Sequence, residues 1–537
     1  MGRTSASSTV VSARPEGSRH HPCAPGSSTE SSMLTRVQTA GLQGVDALPV
    51  TVEVGLSSGL PTFTVVGLPR SAVREGRERV LSALRHIGVQ LPPRRITVNL
   101  APADQPKEGT GFDLPLAVAL LVAAGEVPAT RVERVGFVGE LGLDGSLRPI
   151  RGALARAAGC RAGGAGVVVV PPGNAAEAGT VPGVEVRTAP DLRTLRRCLA
   201  GEEAWPPPPP RARVDPDPVP DLSDVRGQGL GRRALEIAAA GGHNLLLVGP
   251  PGVGKTLLAR RLPGLLPAPT REEALEVTRI HSAAGLLPEG SGLVGRRPFR
   301  APHHSVSDAG LVGGGQPIRP GEATLAHRGV LFLDELPEFR RSALELLRQP
   351  MEQGSIHLVR ARASVRFPAR FTLVAAMNPC PCGDLGHPER PCRCDPSQVQ
   401  RYRSRISGPL LDRIDLQVPV SVVPASLMQG GPEPEGSTVV RERVRAARER
   451  QWSRFAGTGV GSNAEMGPGE LRRHVPVPHG VVRLLQRAQD RLGLSPRAYH
   501  RLLKVARTLA DLDGRDGITE ADAAEAIHFR EMDRPVG

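Results

Sequence analysis

A glycine-rich loop between an apolar run and a helical pattern contains the residues best suited to bind phosphate. The apolar run covers 244–248, and the helical pattern continues beyond residue 256. The loop between them consists of Gly249, Pro250, Pro251, Gly252, Val253, Gly254, Lys255 and Thr256. Glycines let consecutive backbone N–H groups surround phosphate oxygens, while Lys255 can reach the phosphates and the Thr256 hydroxyl can ligate Mg²⁺. Because a strand precedes the loop and a helix follows it, we interpret it as a nucleotide site rather than a chance turn.

Two carboxylates follow a second apolar run. Residues 329–333 predict a buried strand that ends at Asp334 and Glu335. The carboxyl ends of parallel strands lie beside such a phosphate loop, so Asp334 can hold Mg²⁺ through water and Glu335 can accept a proton from an attacking water. Taken alone, the same pattern would be an ordinary strand end. After a phosphate loop, it predicts a catalytic pair.

An asparagine at the end of a third predicted strand is a candidate for orienting the attacking water. The strand covers 371–376, and Asn378 follows it after one residue. Its amide can form hydrogen bonds to a water beside the γ-phosphate. The alternative is a turn asparagine that precedes Pro379.

Four of the seven cysteines are concentrated in one short segment. They are Cys380, Cys382, Cys392 and Cys394. Four thiolates are sufficient for a closed tetrahedral Zn²⁺ site, and the clustering suits a metal better than disulfides in a long intracellular chain. The C-x-C spacing is less usual than C-x-x-C, so free thiols remain the alternative to a structural Zn²⁺.

These candidate sites belong to the second of three predicted domains. The chain of 537 residues is long enough for about three or four domains. Residues 1–32 have a disordered composition, and the sequence leaves open whether translation starts at Met1 or Met33. Strands predicted over 50–54, 63–66, 96–100 and 166–170 alternate with helices predicted over 72–87 and 114–124. The predicted division is an α/β domain over 33–205, a proline-rich linker over 206–220, a second α/β domain over 221–428 and a small helical domain over 429–537.

Charge and hydropathy restrict the class of protein further. The formal net charge of +14 suggests a polyanionic partner such as nucleic acid, although a general preference for arginine weakens that argument. No apolar run approaches the roughly 18 residues that cross a bilayer. The N-terminal residues lack the apolar core of a signal peptide. We therefore expect a cytoplasmic protein with no membrane segment.

Together these motifs resemble those of the AAA+ ATPases. Three further strings, over 297–304, 407–415 and 502–510, resemble the magnesium-chelatase-related branch and, within it, the YifB/ComM family. The resemblance extends from Met33 to the C-terminus. It implies an ATPase that depends on ATP and Mg²⁺, with a P-loop α/β core and a C-terminal helical lid domain.

The resemblance also assigns roles to single residues and implies an assembly. Asn378 matches sensor 1, and Arg413 matches the arginine finger that acts on the nucleotide of a neighbouring subunit. A finger that acts between subunits implies a ring, and the resemblance implies a homo-hexamer. Because Arg413 is flanked by Asp412 and Asp415, a local ion pair is the alternative role for its side chain.

Arg497 matches sensor 2 in the same resemblance. It follows a good helix start at Ser495 and Pro496, and helical spacing places Arg501 and Lys504 on its face. A solvated basic face is the alternative interpretation of this stripe.

Residues 354–371 predict a hairpin whose turn carries two arginines. Similar ATPases carry a hairpin just before sensor 1 that points into the central pore. The resemblance therefore implies that Arg360 and Arg362 contact DNA phosphates independently of sequence. The alternative is a solvated arginine-rich tip.

The first domain resembles the Lon-protease domain, which has a ribosomal-S5-like fold. The strings that carry this resemblance cover 67–70, 99–115 and 138–149. Lon-type peptidases need a serine nucleophile and a lysine base. Gly111 and Leu154 stand at the matching positions, so we expect a binding or assembly module without the catalytic dyad.

The leading hypothesis is an ATP-driven hexameric motor that acts on DNA. The YifB/ComM resemblance implies branch migration in recombination and natural transformation. The alternative is a metal-chelatase-type motor subunit that remodels a protein partner, against which the chain has an additional domain and no metal-adhesion motif. DNA-stimulated ATP hydrolysis separates the two.

Overall fold

The computed structural model describes residues 34–105, 107–210, 218–316, 318–360, 363–424, 426, 433–492 and 495–530. The predicted N-terminal tail lies outside these ranges. The described parts of the predicted linker, 206–210 and 218–220, have no regular secondary structure. Consecutive prolines account for this, because proline has no backbone N–H to donate to a helix or sheet.

The first part of the chain forms a seven-stranded mixed sheet with the order β3-β4-β2-β1-β5-β8-β9. Strands β6 and β7 form a separate two-stranded sheet. The strands of this part of the chain are β1 (Leu34–Gln43), β2 (Asp46–Ser57), β3 (Thr62–Val66), β4 (Arg95–Ala101), β5 (Val135–Phe137), β6 (Glu140–Leu141), β7 (Leu147–Arg148), β8 (Val167–Val170) and β9 (Glu185–Thr188). Its helices are α1 (Ser71–His86), α2 (Asp113–Ala123), α3 (Ala153–Ala162), α4 (Ala175–Ala178) and α5 (Leu192–Ala200). The predicted strands and helices of this region are all present.

Hydrophobic patterning explains how this sheet is covered. In β2 the buried residues alternate, so that Val50, Val52 and Val54 face the core while their neighbours are partly exposed. After Asp113, helix α2 contains only apolar residues, and every residue of the helix is buried. It therefore lies within the core of this domain rather than on its surface.

The second part of the chain contains a five-stranded parallel sheet with the order β11-β14-β17-β10-β18. The strands in this part are β10 (Leu245–Val248), β11 (Phe299–Arg300), β12 (Gly313–Gly314), β13 (Arg319–Pro320), β14 (Val330–Leu333), β15 (Ser355–Arg360), β16 (Ala363–Pro368), β17 (Thr372–Met377) and β18 (Leu416–Pro419). All residues of β10, β14 and β17 are buried, which is typical of a parallel sheet covered on both faces.

The helices of this second part connect and cover the parallel strands. They are α6 (Gly229–Gly241), α7 (Lys255–Ala259), α8 (Leu262–Leu265), α9 (Arg271–Ala284), α10 (Asp308–Val312), α11 (Glu322–Leu325), α12 (Arg341–Leu346), α13 (Arg348–Gln353), α14 (Pro396–Arg403) and α15 (Gly408–Leu411). The predicted hairpin is also present, since β15 pairs antiparallel with β16 from Ser355 opposite Pro368 to Arg360 opposite Ala363.

The C-terminal region is helical, as the sequence predicts. Its helices are α16 (Ser437–Arg454), α17 (Pro468–His474), α18 (His479–Leu492), α19 (Pro496–Leu512) and α20 (Glu520–His528). They share one apolar core with α6 and one face of the parallel sheet. Within the described ranges, none of the helices combines the length and apolarity needed to cross a membrane.

The first domain packs against the second through the β1–β2 turn and α3. The Gly152 N–H donates to the Ser282 carbonyl across 3.1 Å. A Cβ atom on Gly44, in the β1–β2 turn, would lie only 2.5 Å from the Val365 side chain of β16. The turn therefore rests directly on the base of the hairpin, and glycine permits this close approach.

Candidate nucleotide-binding and catalytic site

The phosphate loop connects β10 to α7 at the carboxyl edge of the parallel sheet. Gly249 passes so close to β18 that a Cβ atom there would lie 2.1 Å from the Val420 carbonyl oxygen. Gly252 and Gly254 have φ values of +80° and +95°, in the region that favours glycine. The loop conformation therefore requires these glycines, which explains why the sequence contains them.

The Lys255 ammonium is held inside this loop. It donates to the carbonyl oxygens of Gly249 and Pro250 across 2.7 and 2.8 Å, and to Asn378 Oδ1 across 3.0 Å. Burial lowers the pKa of this amine, while the charges of Asp334 and Glu335 raise it. The structure thus brings together the lysine, the acids and the asparagine that the sequence predicts as one site.

Thr256 and Asp334 form the part of the site that could hold a divalent cation. The Thr256 hydroxyl donates to Asp334 Oδ2 across 2.7 Å. The other oxygen of Asp334 accepts a hydrogen bond from the Glu335 backbone N–H across 3.0 Å. A hydroxyl and a carboxylate at this spacing are oxygen ligands of the kind that Mg²⁺ prefers.

Glu335 has a backbone conformation that is uncommon for a residue with a side chain. Its φ is +52°, and its side chain is exposed next to the cleft at the edge of the sheet. Non-glycine residues with positive φ occur preferentially at functional sites. A short helical turn, Leu336–Glu338, begins directly after Glu335.

His304 belongs to this site although no sequence motif assigns it a role there. Its Nδ1 atom lies 3.3 Å from Glu335 Oε2, and its ring contacts Phe339 edge-on. The string 297–304 supported the family resemblance, but nothing in its spacing indicated a contact with Glu335. The contact depends on the strand order, which places β11 next to β14.

Gln228 was also missed by sequence reasoning. Its amide donates to the Val253 carbonyl in the phosphate loop across 3.1 Å and to the Ser421 carbonyl across 2.7 Å. It thereby ties the loop to the segment that follows β18. A lone glutamine between two glycines, 25 residues before Val253, carries no pattern that would have identified it.

Arg413 has partners within its own chain, and the charge of Arg497 acts on it. Arg413 is buried, forms an ion pair with Glu352 of the same chain and donates to the Pro409 carbonyl. Burial is the main cause that lowers the pKa of Arg413, and the nearby charge of Arg497 adds to it. Arg497 itself is exposed at the start of α19. The local partner of Arg413 is therefore Glu352 rather than the flanking aspartates.

The basic stripe of α19 is not a solvated face. Arg501 forms an ion pair with the buried Asp415, and Lys504 donates to the Ala464 carbonyl across 2.8 Å. Asp415 also lies 3.4 Å from the buried His243. The charges of Arg501 and His243 lower the pKa of Asp415 although burial opposes them. Of the three cations, only Arg497 keeps an exposed side chain.

The four clustered cysteines converge in space. The Sγ atoms of Cys380, Cys382, Cys392 and Cys394 all lie within 4.8 Å of one another. Backbone hydrogen bonds, first that of Asp384, lower the pKa of the Cys382 thiol to about 6. Four soft ligands at this spacing fit a tetrahedral Zn²⁺. The arrangement is compatible with the predicted zinc site.

The cysteine cluster is adjacent to the nucleotide site. Cys380 follows Asn378 after one residue, and Gly383 lies against the phosphate loop, where a Cβ atom would come within 2.7 Å of Pro251 Cδ. The Arg403 guanidinium donates to the Pro379 carbonyl across 3.4 Å. The cluster therefore holds the loop that carries Asn378.

The structure does not describe the side chains of the two arginines that are predicted to contact DNA. Arg362 lies outside the described residues, and of Arg360 only the backbone, at the end of β15, is described. Next to them Val359 has 76% of its surface exposed. The contact with DNA remains a prediction.

The positions compared with the Lon dyad contain no nucleophile or base. Gly111 is buried just before α2, and Leu154 is an apolar core residue of α3. A Cβ atom on Gly111 would lie 3.0 Å from the guanidinium carbon of Arg156. A guanidinium, rather than a lysine amine, thus lies next to the position where the nucleophile would be.

A parallel sheet with a phosphate loop after one strand and paired acids after another is the arrangement of a P-loop ATPase. Family models agree with this assignment along most of the chain. The model described as "Magnesium chelatase, subunit ChlI" matches residues 221–428, "Subunit ChlI of Mg-chelatase" matches 52–174, and "Magnesium chelatase, subunit ChlI C-terminal" matches 434–530.

Relatives of similar length narrow the class to one family. The uncharacterized protein YifB of Salmonella typhimurium is 46% identical over 506 residues, covering 93% of this chain and 98% of its own. The competence protein ComM of Haemophilus influenzae is 44% identical over 509 residues, with the same coverage of both chains. The magnesium-chelatase 38 kDa subunit of Rhodobacter capsulatus is 29% identical over 181 residues, which cover 30% of this chain and 51% of that subunit. The chain belongs to the YifB/ComM family of magnesium-chelatase-like AAA+ ATPases.

Proposed function

We propose that this protein is an ATP-driven, Mg²⁺-dependent motor that forms a homo-hexameric ring and acts on DNA, promoting branch migration in recombination and natural transformation. The observation that carries the proposal is the joint placement of Lys255, Asp334 and Asn378 at one edge of the parallel sheet. These are the groups that position and hydrolyse a nucleoside triphosphate in P-loop enzymes.

Each residue of the site has a distinct task in hydrolysis. Lys255, already directed into the loop, neutralises charge on the β- and γ-phosphates. Thr256 and Asp334 would hold Mg²⁺, which supplies further charge neutralisation when it is bound. Glu335 accepts a proton from the attacking water, and Asn378 orients that water. His304, 3.3 Å from Glu335, holds the Glu335 carboxylate in position.

Assembly into a ring gives Arg413 its role. The guanidinium exchanges its ion pair with Glu352 for the γ-phosphate of a nucleotide bound in the adjacent subunit. Arg497, the sensor 2 residue, is exposed and close to Arg413, so both cations belong to the same side of the subunit. A nucleotide bound between two subunits would therefore couple hydrolysis to ring motion.

DNA as the partner is supported by three features. The net charge of +14 favours a polyanion. The similar protein of Haemophilus influenzae is named a competence protein. In the sequence, Arg360 ends β15 and Arg362 directly precedes β16, and arginine contacts to phosphate do not depend on base sequence.

A motor subunit that remodels a protein partner is the second candidate function. It is favoured by the match to magnesium-chelatase models over 221–428 and 434–530. In that case ATP hydrolysis would respond to a protein rather than to nucleic acid. The competence protein ComM of Haemophilus influenzae aligns with 93% of this chain and the magnesium-chelatase subunit of Rhodobacter capsulatus with only 30%, which favours the DNA motor.

The four cysteines are proposed to bind one structural Zn²⁺. Their location between Asn378 and α14 gives the metal a positioning role, because the loop that they close contacts Pro251 of the phosphate loop. A closed Cys₄ site leaves no ligand position for substrate, so the metal takes no part in hydrolysis itself.

The decisive test is ATP hydrolysis by the purified full-length protein with and without DNA at low salt. Single-stranded, duplex and four-way-junction DNA are compared at equal nucleotide concentration. Stimulation by DNA that decreases as salt increases, together with movement of a junction, supports the DNA motor. If ATP is hydrolysed but none of the three forms of DNA changes the rate, the partner-remodelling function replaces the DNA-motor function.

A further inference from the structure

A cavity of about 1230 Å³ lies between the first domain and the AAA+ core. The β1–β2 turn, the segment before α2 and the segment before α3 contribute its walls from the first domain. Gly315, Arg319 and Val365 contribute from the second. The cavity is separate from the phosphate loop, since Lys255, Asp334 and Asn378 do not line it.

Arg156 lines this cavity, and its guanidinium lies over the Phe112 ring, 5.5 Å from the ring centroid. Only 3% of the residue is exposed. One guanidinium nitrogen donates to the Ala40 carbonyl across 2.7 Å, while the buried Nε atom has no hydrogen-bond partner. Among the described residues no carboxylate forms an ion pair with it. A buried cation without a counter-ion is costly to stability, so its retention indicates a ligand that supplies the negative charge.

The backbone beside Arg156 leaves room for such a ligand. A Cβ atom on Gly109 would lie 3.4 Å from Arg156 Nη2, and one on Gly111 would lie 3.0 Å from the guanidinium carbon. Gly109 has a φ of +91°, which favours glycine. These residues precede α2, whose eleven residues direct the positive end of a helix dipole toward this region.

The lining as a whole has an excess of positive charge, with five cations against the three carboxylates Asp104, Glu108 and Glu140. Lys107, Arg151 and Arg319 add positive charge, whereas Arg70 is partly neutralised by Glu108 at 3.4 Å. Leu48 and Ile150 provide apolar surface on the same cavity. Cations outnumber acids among the lining residues, and the volume exceeds the space needed for an inorganic anion alone.

We propose that this cavity binds a small organic phosphate monoester, with the phosphate on the Arg156 guanidinium and the organic part against Leu48 and Ile150. A doubly charged phosphate matches the excess of cations better than a single carboxylate does, and a guanidinium binds it through two parallel hydrogen bonds. The first domain therefore binds an oxyanion beside Gly111, the position that matches the nucleophile of Lon-type peptidases. This inference does not rest on the proposed DNA motor.

The test is calorimetric titration of the full-length protein carrying Lys255→Ala, so that the nucleotide site does not contribute. The probes are ribose 5-phosphate, inorganic phosphate and acetate. We expect ribose 5-phosphate to bind at one site per chain, more tightly than inorganic phosphate, and acetate to bind at least about tenfold more weakly. Absence of binding by ribose 5-phosphate, or equal affinity for acetate, would overturn the assignment. Equal affinity for inorganic phosphate would overturn the organic part of it.

Variants locate the site. Arg156→Met removes the guanidinium and keeps an apolar stem, and we expect binding to weaken at least about tenfold. Because a substitution at the buried Arg156 can prevent folding, Gly111→Ala provides an independent test. Its added methyl group crowds the guanidinium and should also weaken binding. Arg319→Ala, at the rim, should weaken it less. Arg187→Ala, which removes a partly exposed arginine of β9 outside the cavity that is paired with Glu185, is the control. Unchanged affinity in folded Arg156→Met or Gly111→Ala would overturn the proposal.

Discussion

The Lys255 ammonium donates a hydrogen bond to Asn378 Oδ1 across 3.0 Å, joining the residues that follow two adjacent parallel strands. Val248 of β10 lies opposite Met377 of β17, so the phosphate loop and Asn378 leave the sheet at the same level. This register explains why residues 123 positions apart in the sequence share one site. The contact also means that a change to one side chain affects the position of the other.

Substitution of Lys255 and substitution of Asn378 should therefore have different effects on the enzyme. Lys255→Ala removes the charge that neutralises the phosphates, and we expect nucleotide binding to be lost in a fluorescent-nucleotide titration. Asn378→Ala retains that charge, so binding should persist while kcat falls by roughly a hundredfold through loss of water positioning. Arg187→Ala serves as the control for general effects of removing a cation. If Asn378→Ala has a normal kcat, Asn378 does not orient the attacking water and is only a turn residue.

Glu335→Gln retains the shape of the side chain and removes the proton acceptor. We expect the variant to bind ATP normally and to hydrolyse it about 10²- to 10⁴-fold more slowly. His304→Ala should have a smaller effect on kcat and little on ATP affinity, since His304 acts through Glu335. Steady-state hydrolysis and equilibrium binding measured on the same samples separate the two parameters. Unaltered turnover in Glu335→Gln would remove this residue from the mechanism.

The sequence was informative wherever one segment provides both the pattern and the function. The phosphate loop, the acids after β14 and the hairpin β15–β16 could each be predicted, because apolar runs and glycines define them locally. His304 and Gln228 could not be predicted, since their roles depend on strand order and on the path of a distant segment. For the same reason, the sequence could not show whether Arg501 and Lys504 lie on a solvent-exposed face of their helix. Their partners, Asp415 and Ala464, lie in other elements.

Arg413 provides a test of ring assembly. Subunits carrying Arg413→Ala have an intact phosphate loop, and subunits carrying Lys255→Ala have an intact finger. A mixture of the two should hydrolyse ATP faster than either alone, because some interfaces combine both intact groups. Hydrolysis is measured across mixing ratios, with assembly checked by sedimentation.

The ion pair with Glu352 supplies the control for this experiment. Glu352→Gln breaks the pair but leaves the Arg413 guanidinium available, so we expect the homogeneous variant to remain active. If assembled mixtures show no complementation and Glu352→Gln loses activity to the same degree as Arg413→Ala, the ion pair is the function of Arg413. The finger role would then be wrong.

The cysteine cluster predicts the metal content of the protein. Elemental analysis should give about one Zn per chain, and Cys392→Ser should lower both the metal content and the melting temperature. Because the cluster lies beside Pro251, the variant should also bind ATP more weakly. Cys198→Ser, which changes a buried cysteine outside the cluster, should retain the metal. A zinc-free preparation with full activity and unchanged stability would contradict the site.

The hairpin offers the sharpest separation between the two candidate functions, because contacts to phosphate weaken as salt increases through counter-ion release. Arg360→Ala combined with Arg362→Ala should preserve basal ATP hydrolysis, since neither residue belongs to the nucleotide site. The double variant should lose stimulation by DNA, and the salt dependence of its DNA binding should become flatter by about one unit for each phosphate contact removed. Arg366→Ala, an exposed arginine on β16 of the same hairpin, is the matched control and should respond to DNA normally. If the double variant responds to DNA as the wild type does, another surface engages the DNA.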